Sequence, residues 1–374
     1  MARLDEICRL NMGQSPDSSS YNEIGDGLPF FQGNADFGEL HPKMRIWCNA
    51  PTKIAHPGDI LISVRAPIGA LNIADRECCI GRGLAALTVN EALCNSGYLW
   101  YAIANKVDEL NSKGTGSTFK AISKNVLGGT EIPLLSLDRQ QQVSATLDKL
   151  TSLIFLRKQQ LAKLDELVKA RFVEMFGDPI QNPMQWNEVC IVNLCRSIYG
   201  GGTPSKSNPE YFTGRIPWVS PKDMKTVKIE DSIDHITEEA IKNSSTNLVP
   251  EKSVLMVIRS GILKHSLPVA INMVPVTINQ DMKAFIPNEN VTVEYLMCYF
   301  KAIEEDVLCR VRGVTADNID FKEFQNRVIM VPPVELQKEF STFWNYVDNS
   351  TLTIQQSLDK LEVLRKSLMQ EYFG

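Results

Sequence analysis

Short loops in both halves of the chain collect the side chains that donate to base edges and phosphate oxygens. In the first half these are Gln14 and Ser15 in Gly13-Gln14-Ser15-Pro16, and Gln32 and Asn34 in Gln32-Gly33-Asn34. Arg65 closes an apolar strand, Arg82 follows Ile80, and Lys113, Thr115, Ser117 and Lys120 lie in the stretch 113–120. The second half offers Thr203, Ser205 and Lys206 in a Gly-Gly-Gly-Thr-Pro-Ser-Lys opening, Ser220 and Lys222 around Pro221, Arg259, Lys264, Gln280, and Arg312 in Arg310-Val311-Arg312-Gly313-Val314-Thr315. Gly-Thr and Gly-Ser stretches could also present backbone N–H groups to a phosphate. Such clusters are mostly plain turns, so spacing alone leaves nucleic-acid contact and simple chain reversal both open.

No assembled catalyst accompanies these donors. The chain has no GxxxxGK[ST] phosphate loop and no GxSxG elbow. Pro332-Pro333 is flanked by Val331 and Val334 and lacks the acid or amide and the aromatic residue expected of an amino-methyltransferase motif. No Asp…Glu-x-Lys constellation of a nuclease stands out, and Glu238-Glu239 and Glu304-Glu305 read as solvated helix faces. The four histidines (His41, His56, His235, His265) show no HxxxH spacing and the nine cysteines no CxxC pair, so neither a zinc site nor a disulfide framework is expected. An enzyme is not supported.

The elements that must position the loops come in two copies. Glu174-Met175-Phe176-Gly177 returns as Glu371-Tyr372-Phe373-Gly374, 197 positions later. Walking back at that offset, Gln159, Leu161 and Lys163 meet Gln356, Leu358 and Lys360; Gln140 meets Gln337; Ile132 meets Ile329; Gly116 and Thr118 meet Gly313 and Thr315; Tyr98-Leu99 meets Tyr295-Leu296. Further upstream the two copies drift apart. A period this long is a duplicated domain, not a solenoid of short repeats. The shared ends imply a common task, the dissimilar beginnings a different one for each copy.

Neither proline nor glycine interrupts residues 136–175 or 334–373. Pro133, Ser136 and Asp138 before the first stretch, and Pro332-Pro333 with Glu335 at the second, are helix-start signals. Within the first, Val143, Leu147, Leu150, Ile154, Leu161, Leu164, Val168 and Met175 step by four and three, with Arg157 and Arg171 as breaks. Phe340, Trp344, Val347, Ile354, Leu358, Leu361, Leu368 and Tyr372 repeat the pattern, with Thr351 and Arg365 as breaks. A seam sustained over five heptads predicts a coiled coil about 60 Å long. Two such helices related by a pseudo-two-fold axis pair antiparallel as a free-standing rod; the alternative is that each packs on its own domain. The remaining segments, 1–135 and 178–333, carry short strand-like runs (60–64, 84–87, 254–258, 283–286) and two shorter helical patterns (96–110, 293–307).

Size and composition set the outer limits. A chain of 374 residues exceeds one ordinary domain. Hydrophobic residues at 44% and charged residues at 22% suit a globular chain, and no apolar run approaches a membrane span. The charged N-terminus has no signal-peptide core, so a cytoplasmic location is expected. Lys+Arg 39 against Asp+Glu 44 gives net −5, which disfavours a non-specific polyanion binder but not positive charge concentrated on one face.

Taken in order, the loosely similar heads, the closely similar long helices, the Gly202-Thr203-Pro204-Ser205 opening, Phe176-Gly177-Asp178-Pro179, and the helix start from Ile132-Pro133 to Gln140 resemble the specificity subunit of a type I restriction-modification system across the whole chain. The resemblance implies an α+β chain: two α/β target-recognition domains separated by two long antiparallel coiled-coil helices, in a pseudo-two-fold internal repeat. The boundaries would be 1–135 and 178–333 for the recognition domains, 136–177 and 334–374 for the spacers. Each head would read one half of a split double-stranded DNA target. The helices would set the gap and dock two methyltransferase subunits, with two restriction subunits completing the complex. The subunit itself would hold no cofactor; S-adenosylmethionine would belong to the methyltransferase partner, ATP and Mg to the restriction partner. A protein-interaction scaffold without DNA readout is the alternative, and an enzyme with an unfamiliar site split between the heads a more distant one.

Overall fold

The computed structural model describes residues 1–116, 120–311 and 318–374. Ser117 and Arg312 of the expected contact set, and Thr118, Gly313 and Thr315 of the repeat, lie outside these residues. The chain divides into two compact units, one of Met1–Lys158 with Gln356–Gly374 and one of Gln159–Gln355. Each unit thus unites a head, part of the helix that follows it, and part of the other long helix.

In the first unit an antiparallel sheet runs in the order Cys8–Met12, Leu84–Val89, Ile60–Ser63, Leu71–Ile73. Strand Ile60–Ser63 is buried throughout because both faces are covered. Ile60 and Ile62 enter one core and Leu61 the other, which is why the sequence shows an unbroken apolar run. A second, mixed sheet pairs Leu28–Phe31 in parallel with Cys78–Ile80 through Phe31↔Ile80. The second unit repeats the plan. Its larger sheet runs Cys195–Gly200, Met282–Pro287, Val254–Val257, Val269–Asn272, Lys228–Ile229, and its smaller one pairs Ile216–Val219 in parallel with Thr277–Ile278 through Val219↔Ile278. The expected helical patterns appear as Ser96–Ala104 with Val107–Ser112, and Val293–Ala302 with Glu304–Leu308.

The long helices are Leu137–Phe176 and Val334–Phe373, 40 residues each. Gly177 ends the first with φ 83°, the left-handed conformation that glycine adopts without a Cβ clash. Val143, Leu147, Leu150 and Ile154 are buried, as are Phe340, Trp344, Val347 and Leu358, and the other seam residues are half-buried. Within the first unit the guanidinium of Arg139 lies 5.9 Å from the Tyr372 ring, while Lys158 Nζ is 2.9 Å from Glu362 Oε1. One index rises as the other falls, so the helices run antiparallel. In the second unit the end of the first helix meets the beginning of the second: Phe172 and Phe176 pack against Phe340 at 5.6 and 5.4 Å between ring centres.

The rod is not free-standing along its length. Val143 and Leu147 share a core with Tyr98 and Leu99 of the first head, and Phe340 and Trp344 share one with Tyr295 and Leu296 of the second. A buried amide fixes each start. Gln140 accepts from the Asn95 N–H at 2.8 Å and donates to the Leu93 and Leu135 carbonyls. Gln337 accepts from the Thr292 N–H at 2.9 Å and donates to the Asn290 and Pro332 carbonyls. The tyrosines repeat as well: Tyr98 donates to the Pro133 carbonyl and Tyr295 to that of Met330. Tyr98 meets Phe373 at 5.0 Å and Tyr295 meets Phe176 at 4.9 Å. Every one of these partners stands at the same sequence offset, and each head receives its phenylalanine from the helix that follows the other head.

Candidate nucleic-acid interface

In the first head four loops are laced together by backbone bonds. The Gly13 N–H donates to the Leu84 carbonyl at 2.9 Å and that of Gln14 to Ile80 at 3.0 Å. The Gly81 and Gly83 N–H groups donate to the carbonyls of Phe31 and Gln32. Val64 then donates to Gly83, Ala66 to Lys120, and Arg65 and Thr115 each bridge to Ala121. These approaches are possible because Gly13 and Gly83 have no Cβ, which would strike the carbonyls of Gly81 and Gln32. The result gathers Gln14, Ser15, Gln32, Arg65, Arg82, Thr115 and Lys120 at one edge, all exposed except the half-buried Ser15, whose hydroxyl accepts the Arg82 N–H at 3.3 Å. Asn34 opens the adjoining turn Asn34–Asp36. Lys113 is already engaged: its ammonium donates to Glu109 at 2.6 Å, and that hydrogen bond holds the Glu109 carboxyl below its usual range.

The second head builds its edge from the same places with other chemistry. Gly202 donates to the Ile278 carbonyl at 3.0 Å, Asn279 to Val219 at 2.9 Å, and the Trp218 indole to Gly202 at 3.0 Å. The Thr203 hydroxyl donates to the side-chain carbonyl of Gln280. Arg82 and Gln280 both lie two residues beyond the isoleucine of the parallel strand pair, and Arg65 and Arg259 both bridge to matched positions, Ala121 and Asn318. Arg259, however, is held by Asp281, its Nε 2.6 Å from the carboxylate, whereas Arg65 meets no carboxylate among the described residues. Ser220 is buried against Asp223, donating through both N–H and Oγ at 2.8 Å. Ser205 and Lys206 are exposed on one loop, Lys222 on the turn after Val219, and Lys264 at the end of the short helical turn Gly261–Lys264. Sequence reasoning missed both carboxylates: Asp281, because an ion pair closed by strand pairing across 22 residues leaves no local signature, and Asp223, although it lies only three residues from Ser220 in a spacing typical of a side-chain-closed turn.

The arrangement offers hydrogen-bond donors and acceptors on a rigid frame, the equipment for recognition. Among the described residues no group of His, Cys, Asp and Glu could hold a metal ion, and no helix is long and apolar enough to cross a membrane.

The chain matches the family described as "Type I restriction modification DNA specificity domain" over residues 1–166 and again over 183–363. It belongs to that family. Among its relatives are the putative type I restriction enzyme MjaX specificity subunit of Methanocaldococcus jannaschii, 38% identical over 165 residues, and the type I restriction enzyme EcoR124I/EcoR124II specificity subunit of Escherichia coli, 35% identical over 251. These matches cover 44% and 64% of this chain and span 39% and 59% of the two relatives. The MjaIX specificity subunit matches at 24% over 85% of the chain and 77% of its own length. In fold the chain resembles the crystal structure of the S subunit from M. genitalium, with TM-score 0.66 and 15% identity, covering 100% of this chain and 95% of that one. The two matched blocks of this specificity-domain family each contain one head and most of the helix that follows it.

Proposed function

We propose that this chain is the DNA-specificity subunit of a type I restriction-modification complex and performs no chemistry of its own. The observation that carries the reading is the matched pair of edges. One frame, repeated, presents Gln14, Gln32, Arg65, Arg82 and Lys120 in the first head and Thr203, Arg259 and Gln280 in the second. Residues 1–135 and 178–333 act as readers, each on one half of a split DNA target; residues 136–177 and 334–374 act as the spacer. Ser117 and Arg312 belong to the proposed contact set by their place in the sequence. A helix of about 60 Å bounds the gap at about 18 base pairs, and heads seated along the helix shorten it.

The long helices also dock the partners in this reading. Both keep apolar side chains in solvent off the seam: Phe155 and Leu167 on the first, Leu352 and Leu364 at the matched positions of the second, 41–58% exposed. Matched patches suit two copies of one partner, the methyltransferase subunit, with two restriction subunits joining the assembly. S-adenosylmethionine is then carried by the methyltransferase, ATP and Mg by the restriction subunit, and the complex works in the cytoplasm.

Mapping methylated adenines in a host genome carrying this chain and its partners tests the proposal. A bipartite, asymmetric motif with a fixed gap is expected, and Arg65→Ala should weaken methylation of it. A pure protein scaffold would leave the motif and DNA affinity untouched by that substitution. An enzyme with a site split between the heads would turn over substrate as the purified chain alone.

A further inference from the structure

The two heads are fastened to their helices at the same station by different means. In the first unit the Tyr101 phenol donates to Asp148 at 2.8 Å and lies 3.3 Å from the Thr151 hydroxyl. At the matched positions of the second unit Tyr101 becomes Cys298 and Thr151 becomes Asp348, so the phenol is gone and a carboxylate faces the head. Lys228 takes it up. Its ammonium is 2.6 Å from Asp348 Oδ2 and 5.1 Å from the centre of the Trp344 ring. The side chains are only 23% and 15% exposed, so solvent screens the pair less than a surface bridge, and the ring face adds attraction for the cation. Lys228 stands on Lys228–Ile229, the outermost strand of the five-stranded sheet, paired with Ile271 of the next strand. The corresponding sheet of the first head has four strands and ends at Leu71–Ile73.

We propose that Lys228 is a positioning residue: bound to Asp348 and Trp344, it holds the sheet of the second head at a fixed tilt on the long helix and thereby fixes the gap between the half-sites. The inference rests on the DNA-reading role proposed above. Helix length alone does not define a gap. Over a reach of about 20 Å, the scale of a domain this size, a tilt of about 10° displaces a reading edge by about 3.4 Å, one base-pair step. The side-chain bonds of Gln337 and Tyr295 at the helix start, and those of Ser341 and Asn345 to Glu294, hold the short helix Val293–Ala302 and its flanks, whereas the Lys228 contact lies further along the long helix and braces the sheet itself.

The test compares the assembled complex carrying wild-type chain, Lys228→Met, Asp348→Asn or Lys228→Arg, reading adenine methylation across a genome. Lys228→Met keeps an unbranched apolar side chain of similar length beside Trp344 while removing the charge. For Lys228→Met and Asp348→Asn, methylation at gaps one base pair longer or shorter should rise on the order of ten-fold relative to the wild-type gap, a change equivalent to about 1.4 kcal/mol. Both half-site sequences should stay the same, and Lys228→Arg should restore the single gap. Unchanged gap selectivity in both charge-removing variants overturns the inference, as does a uniform loss of methylation at all gaps with a lowered thermal midpoint, which would mark a contact serving only stability. If the wild-type complex methylates no bipartite motif, the proposed function itself has failed.

Discussion

Glycines placed where strands and loops nearly touch determine whether the two edges form at all. A Cβ at Gly13 would meet the Gly81 carbonyl and one at Gly201 the Asn279 carbonyl, both backbone atoms that cannot swing aside. Gly13→Ala and Gly201→Ala are each expected to cost on the order of 1–3 kcal/mol, measured as a drop in denaturation midpoint, and to weaken DNA binding. The cysteines make a separate expectation. Burial pushes the thiols of Cys8, Cys78 and Cys195 up to about 12, leaving roughly one thiolate in ten thousand at pH 8, and the thiolate is the reactive form. Alkylation of the native protein at pH 8 should therefore begin at the exposed Cys309, with the buried thiols reacting only in denaturant; early modification of Cys8 or Cys78 would contradict the packing. At this scale the loops themselves were legible from their residue types. What was not legible was which donors are already engaged: Lys113 by Glu109, Arg259 by Asp281, Ser220 by Asp223.

The long helices owe their placement to polar and aromatic anchors as much as to their seam. Replacing Gln140 or Gln337 by leucine leaves a buried N–H and two carbonyls without their partner, so each change should cost about 1–3 kcal/mol in its own unit. Phe373→Ala and Phe176→Ala remove the ring against Tyr98 and Tyr295 and should each cost about 3–5 kcal/mol. Hydrogen exchange resolves which unit loosens in each case, and the first and second units should respond separately. The helices were the most readable part of the sequence, because proline-free length, start signals and a four-three step coincide. Phe172 escaped that reading: it lies off the seam, yet it is almost fully buried where Phe340 of the other helix and the head meet, its ring 5.5 Å from that of Tyr295. A heptad pattern reports only helix-to-helix contact, so packing on a third surface is invisible to it. The expectation of a free rod failed for the same reason.

For the molecule as a whole, the duplication accounts for two dissimilar beginnings and two ends of matching length and pattern in one chain. Lengthening both helices by one heptad keeps the seam in register and adds about 10 Å, so the gap in the methylated motif should grow by about three base pairs with both half-sites preserved. Substituting aspartate at Leu167 or at Leu364 should reduce the number of methyltransferase subunits bound, by mass measurement of the assembled complex, without altering the motif of whatever complex remains active. The central claim is that the heads read independently. Its most direct test is exchange of residues 1–135 for the corresponding head of another specificity subunit, followed by genome-wide mapping of methylated adenines. One half of the motif should change while the other half stays as it was; alteration of both halves together, or of neither, would contradict the account.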